Sequence, residues 1–264
     1  MVRHIFQNIL DEGKVPPRMK EAYKLMITKF SNTVPLPKTS PARSIESDLR
    51  PISITSVAAK IVKYFPVNFM YKSVENSLDQ NQFGGVRGSS TVLALLKIMD
   101  YIAKHTDDAS SVVRMLLCDF SKAFDLVDHS TLIQKLNDIG VHESLAWWTA
   151  NFLYNRSQNV KIGCHESDTL NINAGCPQGT LLGPLAFISY INDLRPPESF
   201  LSVKYIDDTT ILHSMDKQSH DNESFQSVIE YLNTWAQKNK MRFNVGKTKE
   251  IVFNFSRENT MPLN

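Results

Sequence analysis

Asp207 and Asp208 stand side by side where one short β-type run, Leu201 to Ile206, gives way to another, Thr209 to Leu212. That pattern predicts a hairpin carrying both carboxylates at its tip. Unit charges ~4 Å apart repel by roughly 4 kcal/mol at an effective dielectric of about 20, so a fold that fixes two acids there must supply a cation or a proton. A third carboxylate, Asp119, follows the compact apolar run Val112 to Cys118, which reads as a buried strand. If that strand lies beside the hairpin, three carboxylates converge at one sheet edge. Oxygen ligands, with the histidines scattered and no paired metal-ligand spacing, favour Mg²⁺ over zinc, and Mg²⁺ typically combines a few carboxylates with substrate phosphates. Two such ions about 4 Å apart can activate an attacking hydroxyl and stabilise a departing pyrophosphate. The Asp-Asp pair alone is not diagnostic: turns are rich in Asp, and Asp107-Asp108 reads as a solvated loop.

The surrounding elements sharpen the picture. Gly175-Cys176-Pro177-Gln178-Gly179-Thr180-Leu181-Leu182-Gly183-Pro184 combines a tight turn, a polar amide and a helix start, a backbone able to approach a nucleotide closely. Residues 4 to 30 show helical spacing broken by Gly13 and Pro16-Pro17, and Val34 to Pro51, with four prolines, reads as an extended arm or loop. Helical periodicity resumes over Ile52 to Tyr71 and, after the glycine-rich turn Phe83 to Gly88, over Thr91 to Tyr101. Thr131 with Gln134 suggests a capping box for a short helix ending near Gly140. The stretch Ala146 to Tyr154, with its Trp and Phe residues, reads as a core helix, and Gln158 to Ile162 pairs with Thr169 to Ile172. An amphipathic helix over Phe225 to Trp235 and a strand over Lys249 to Phe255 complete an α+β sheet layered with helices.

At 264 residues, 42% hydrophobic and 21% charged, the chain can bury a core and falls outside the disordered class. Its longest mainly apolar stretch, Leu181 to Ile191, is far too short for a bilayer, and the beginning lacks the apolar region of a secretory signal. With Cys118, Cys164 and Cys176 far apart, the expectation is a reduced, intracellular protein without a membrane partner and without a visible targeting signal, in nucleus or cytoplasm. The net charge of +2 hides an asymmetry: Lys14 to Lys63 holds ten Lys/Arg against three Asp/Glu, and the rest is net acidic. A basic end suits polyphosphate and an acidic remainder suits cations, although a basic run also serves as an ordinary solvated face.

The segments Asp119-Phe120-Ser121-Lys122-Ala123-Phe124-Asp125, Gly175 to Pro184 and Tyr205-Ile206-Asp207-Asp208 resemble the three central polymerase motifs of reverse transcriptases. Pro37-Lys38 and Leu49-Arg50-Pro51-Ile52-Ser53 look like the fingers motifs, Asn81-Gln82-Phe83-Gly84 with Gly88-Ser89-Ser90-Thr91 looks like a segment of non-LTR retrotransposons, and Asn244 to Thr248 looks like the late palm motif. The resemblance is to jockey-like and chicken-repeat-like elements over residues 34 to 255. It implies right-hand polymerase fingers and palm, a ferredoxin-like palm sheet with packed helices, and a thumb absent or truncated. The divisions it implies are 1–110 mainly fingers with an N-terminal extension, 111–130 palm, 131–174 an insertion between fingers and palm, 175–256 palm and 257–264 a tail.

By the same resemblance the chain would be an RNA-directed DNA polymerase, a nucleotidyltransferase that joins a dNTP to a primer 3′-hydroxyl on an RNA template. Asp119, Asp207 and Asp208, with the Phe120 carbonyl, would hold two Mg²⁺ ions, with Mn²⁺ as a substitute. Phe124 would exclude the 2′-hydroxyl of ribonucleotides. Gln178 and Gly179 would meet the incoming nucleotide, Lys38 and Arg50 its triphosphate, and Lys247 would donate a proton to pyrophosphate. Structural alternatives stay open: Phe124 as core, Gln178 as a helix-start residue, Arg50 as a surface charge, Lys247 replaced by Lys249. Asp125 and His129 are expected to orient the turn after Asp119. Departures from the family pattern are Ile206, where a smaller residue is usual, Cys176 for the commoner Val, and Gly85-Val86-Arg87, which lacks a bulky and a basic residue. The missing endonuclease and thumb leave a rival reading, a catalytically inactive relic that binds nucleic acid.

Overall fold

The computed structural model describes residues 30–38, 40–41, 49–54, 57–107, 110–217 and 222–255; apart from Phe30, the helical pattern of residues 4 to 30 lies outside them. In order come β1 (Phe30–Pro37), β2 (Leu49–Ile54), α1 (Val57–Val74), α2 (Thr91–Thr106), β3 (Ser111–Cys118), α3 (His129–Asp138), α4 (Glu143–Leu153), β4 (Arg156–Ile162), β5 (His165–Glu166), β6 (Leu170–Ile172), α5 (Leu182–Tyr190), β7 (Leu201–Tyr205), β8 (Asp208–Asp216), α6 (Asn222–Lys238) and β9 (Lys249–Phe253). They form two units. The first joins the described residues up to Leu78 with Phe124–Tyr190; the second joins Asp79–Ala123 with those from Ile191 onward.

In the first unit the sheet order is β2-β1-β4-β5, with β6 also on β4. The arm expected over Val34 to Pro51 and the helix expected from Ile52 are replaced in part by strands: β1 and β2 pair antiparallel from Asn32 opposite Ile54 to Pro37 opposite Leu49. The prolines fit for a physical reason. Pro51 lies on an edge strand, Pro35 and Pro37 lie beyond the Phe30–Thr33 pairing with β4, and Pro35 faces Pro51 at a position where the ladder needs neither N–H. Ile52 and Ile54 flank Ser53 with the two-residue alternation of a strand. α5 is buried along almost its whole length and apolar all round, so it forms the centre of this unit, contacted by α1 and α3. α3 begins behind Asp128, whose carboxylate accepts the Thr131 N–H at 2.9 Å, so the cap lies three residues before the expected one. In α4, Trp148 and Phe152 are core, as the spacing predicts, whereas Trp147 and, just past the helix, Tyr154 face solvent.

In the second unit the sheet order is β7-β8-β3-β9, antiparallel throughout, with α6 crossing from β8 to β9 in the ferredoxin-like manner the resemblance implies. β3 is internal and its alternate residues serve opposite faces. Val113 and Met115, with Val203 and Leu212, pack on Ala94 and Ile102 of α2. On the other face the Arg114 guanidinium lies 4.1 Å from the centre of the Phe225 ring of α6, and Phe120 lies 6.2 Å from Trp235. Phe225, Val228, Leu232 and Trp235 are buried at helical spacing, which is why this stretch forms an amphipathic helix on a sheet. Burying each such side chain contributes roughly 1.5–3 kcal/mol.

Candidate active site

β3 pairs with β8 from Ser111 opposite Asp216 to Cys118 opposite Thr209. Continued by one residue, this register sets Asp119 opposite Asp208 on one face of the sheet. β7 and β8 are joined through Ile206 and Asp207, with Tyr205 paired to Asp208. The hairpin therefore stands where the sequence predicts, with Asp207 in the turn and Asp208 opening β8. Ile206 has φ +58°, and a positive φ at the first central residue alone is the type II′ pattern, where Gly is usual. A β-branched residue held there is strained by about 1–2 kcal/mol.

Asp119 is held by its own backbone. The Asn244 N–H donates to the Asp119 carbonyl at 2.7 Å, and the Ser121 N–H donates to the Arg242 carbonyl at 2.8 Å. These bonds flank a bridge between Phe120 and Phe243, whose rings stack at 4.5 Å, so the peptide groups of Phe120 itself face away from that segment. The Asp119 Oδ2 atom is buried and accepts no hydrogen bond; the Lys247 ammonium, largely exposed, stands 3.6 Å from it. A buried carboxylate oxygen without a donor is costly, and a cation would relieve that cost. Among the described residues no group of three or more His, Cys, Asp or Glu side chains is placed to hold a metal ion. An ion such as Mg²⁺ takes one or two carboxylates and completes its shell with phosphate and water, so it requires no such group.

The remaining predicted site residues lie in the first unit. Phe124 is half-buried, its ring stacked on Phe187 of α5 at 4.9 Å and 27°. The segment 175–179 is fastened to the one after Phe124: the Cys176 N–H donates to the Phe124 carbonyl and the Gly175 N–H to the Val127 carbonyl, both at 2.8 Å. Gly175 has φ +88°, and a Cβ there would come within 2.9 Å of the Asp125 carbonyl oxygen, so only glycine allows this approach. Gln178 donates from Nε2 to Asp125 Oδ1 at 3.3 Å, and His129 Nε2 lies 2.9 Å from the Gly175 carbonyl oxygen, so Asp125 and His129 tie loop to loop. The Gln178 carbonyl accepts the Ser53 N–H at 3.0 Å, which links Gln178-Gly179 to β2. Arg50, opposite Leu36, and Lys38, just past β1, are exposed at one end of the β1–β2 hairpin. Two links escaped the sequence reading, the Ser53–Gln178 bond and the Gly183 approach, where a Cβ would lie 3.1 Å from the Pro177 carbonyl oxygen and 3.9 Å from Phe124 Cε1. The glycine itself was the visible signal for the second.

Cys118 and Cys176 are buried and Cys164 is exposed, all three as free thiols. Burial pushes the Cys118 and Cys176 thiols up to about 12, with the Arg156 charge opposing at Cys176. Among the described residues no helix is long and apolar enough to cross a membrane.

A family model described as "Reverse transcriptase (RNA-dependent DNA polymerase)" matches residues 36–259. The chain is 26% identical to the RNA-directed DNA polymerase from mobile element jockey of Drosophila melanogaster, covering 94% of this chain and 27% of that protein. It is 28% identical to the probable RNA-directed DNA polymerase from transposon BS of the same fly, covering 92% and 27%. Among solved structures, it is similar to apo telomerase from Candida tropicalis truncated from the C-terminal domain (TM-score 0.60, 13% identity, 98% of this chain and 56% of that one). It is also similar to telomerase from the same organism in complex with a TWJ fragment of telomeric RNA (TM-score 0.62, 13% identity, 92% and 46%). The chain thus spans about a quarter of the length of these fly relatives, and the structural likeness establishes a right-hand polymerase fold.

Proposed function

This chain belongs to the reverse transcriptase (RNA-dependent DNA polymerase) family, and we propose that it copies RNA into DNA, joining the α-phosphate of a dNTP to a primer 3′-hydroxyl with loss of pyrophosphate. The observation that carries the reading is that β3 ends at Cys118 opposite Thr209, so that Asp119 and Asp208 each lie one residue beyond that pair, beside a turn bearing Asp207, with a buried Asp119 oxygen that accepts no hydrogen bond. The four-stranded sheet of the second unit would be the palm, and the β1–β2 hairpin would belong to the fingers.

Asp119, Asp207 and Asp208, with the Phe120 carbonyl, would hold two Mg²⁺ ions or, in substitution, Mn²⁺, which supply charge neutralisation for nucleophile and leaving group. Lys247, on its exposed turn, keeps an ammonium beside Asp119 and is the proton donor we assign to departing pyrophosphate. Lys38 and Arg50 would neutralise the triphosphate, and the Gln178-Gly179 backbone would seat the nucleotide. The Phe124 ring, held flat by Phe187, would close off the space a 2′-hydroxyl needs. Lys238, Lys240, Arg242, Lys247 and Lys249 supply a basic run without an acid among residues 231–249, suited to the phosphates of template and primer. Such work would require access to RNA and to chromosomal DNA, which suits a protein of the nucleus, the cytoplasm or both.

The decisive experiment is primer extension on matched RNA and DNA templates with dNTPs or NTPs in the presence of Mg²⁺. Incorporation of dNTPs on the RNA template is the expected result. Template binding by a folded chain with no incorporation would overturn the catalytic reading.

A further inference from the structure

We propose that Lys204 and Asp79, together with Gly84, are positioning residues that lock the Asp207–Asp208 hairpin in register, an inference that rests on the polymerase reading above. Lys204 sits in β7 one residue before Tyr205, and its side chain is wholly buried. Its Nζ lies 2.7 Å from Asp79 Oδ2, a close ion pair and not an aligned hydrogen bond, 3.0 Å from the Leu194 carbonyl and 3.3 Å from the Ile191 carbonyl. Two carbonyls that accept its N–H groups and one carboxylate thus surround the ammonium. Asp79 is fixed in turn: its N–H donates to Asn192 Oδ1 at 2.7 Å and its Oδ1 accepts the Asn81 N–H at 3.0 Å.

The backbone repeats the connection. The Lys204 N–H donates to the Asn81 carbonyl and the Phe83 N–H donates to the Lys204 carbonyl, both at 2.8 Å, so that Gln82 bridges Lys204 in parallel. Residues 81 to 83, just past the turn that the Gln82 N–H closes on the Asp79 carbonyl, therefore form a single bridge on the outer edge of β7. Gly84 then seats this segment on the turn itself. A Cβ at Gly84 would collide with the Ile206 nitrogen and would lie 2.7 Å from both the Ile206 Cγ1 and the Tyr205 carbonyl carbon.

Such a brace has a task. The turn holds Ile206 at positive φ beside two like charges, so the tip is not a conformation this hairpin favours alone. A one-residue slip of β7 would carry every side chain to the opposite face and strand the Lys204 charge away from Asp79. A buried ion pair is an uncertain source of stability but a steep penalty on wrong registers. Through that penalty the pair keeps Tyr205 opposite Asp208, and so keeps Asp208 in line with Asp119.

The test uses the chain as it stands with Lys204→Met and, separately, Gly84→Ala, which leaves the ion pair in place. Three measurements are made well below each melting temperature: amide exchange of residues 205–209 without metal, Mn²⁺ affinity by electron paramagnetic resonance, and primer-extension kcat and dNTP KM. In both variants the hairpin amides should exchange at least about tenfold faster. Mn²⁺ affinity should fall by about tenfold, and kcat by about a hundredfold with dNTP KM little changed, as a small misplacement of reacting groups requires. If Lys204→Met does not fold, Gly84→Ala decides. Wild-type exchange, Mn²⁺ affinity and kcat in a folded variant would overturn the brace and leave the polymerase reading intact. If instead the wild type extends no primer while exchange and Mn²⁺ binding respond as described, the brace stands and the polymerase reading falls.

Discussion

Asp208→Asn should make the metal-free protein more stable while removing its activity. Carried one residue beyond its last pair, Cys118 opposite Thr209, the β3–β8 register would set Asp208 opposite Asp119, with Cβ atoms about 4.5–5.5 Å apart. Two charges about 5 Å apart repel by roughly 3 kcal/mol at an effective dielectric of about 20, and by under 1 kcal/mol in bulk water. Asp208 is exposed and the Lys247 ammonium lies 3.6 Å from Asp119, so screening and compensation put the relief near the lower bound, at or below about 1 kcal/mol. In EDTA the variant should therefore melt up to about 2–4 °C higher. Adding Mg²⁺ should raise the melting temperature of the wild type by mass action and leave that of the variant nearly unmoved. Primer extension on an RNA template should fall by about a hundredfold or more, the scale of losing one preorganised charge partner in a transition state. A variant that extends primers at the wild-type rate, or that is stabilised by Mg²⁺ as strongly as the wild type, would refute the assignment of Asp208 to the metal site.

Phe124→Ala should cost about 2–3 kcal/mol through the lost half-buried ring and its stack on Phe187, and should relax exclusion of ribonucleotides; an unaltered dNTP-to-NTP preference in the folded variant would reduce Phe124 to packing. Ile206→Asn should raise stability by roughly 1 kcal/mol, because Asn accepts a positive φ that a β-branched residue resists; a lower melting temperature would refute the strain. Native protein at pH 8 should expose one thiol to Ellman's reagent, Cys164, and a second prompt thiol would contradict the burial of Cys118 and Cys176. Those two thiols are raised to about 12 by burial, above about 8.5 in an unfolded chain. Their contribution to stability is complete below about pH 8.5 and is lost as pH climbs toward 12, so urea unfolding should require less denaturant at pH 10 than at pH 8.

The sequence by itself determined the local pieces. Val112 to Cys118 read as a buried strand delivering Asp119, Leu201 to Leu212 read as two strand runs with the acid pair at the turn, and Phe225 to Trp235 carried a helical stripe, because periodicity and turn chemistry are properties of adjacent residues. It misread the prolines of β1 and β2, since a strand that contains proline depends on which neighbour pairs where, a fact of the sheet and not of the segment. It also gave Lys204 no role: a lysine in a strand has the same local signature whether its ammonium reaches water or, as here, lies 2.7 Å from Asp79, 125 positions away in the chain. Tertiary structure alone decided that Cys118, the residue before Asp119, stands opposite Thr209, the residue after Asp208, that Gly84 sits on the Ile206 turn, and that Phe124 rests on Phe187. Each is a long-range pairing, fixed by register and burial that no window of sequence contains.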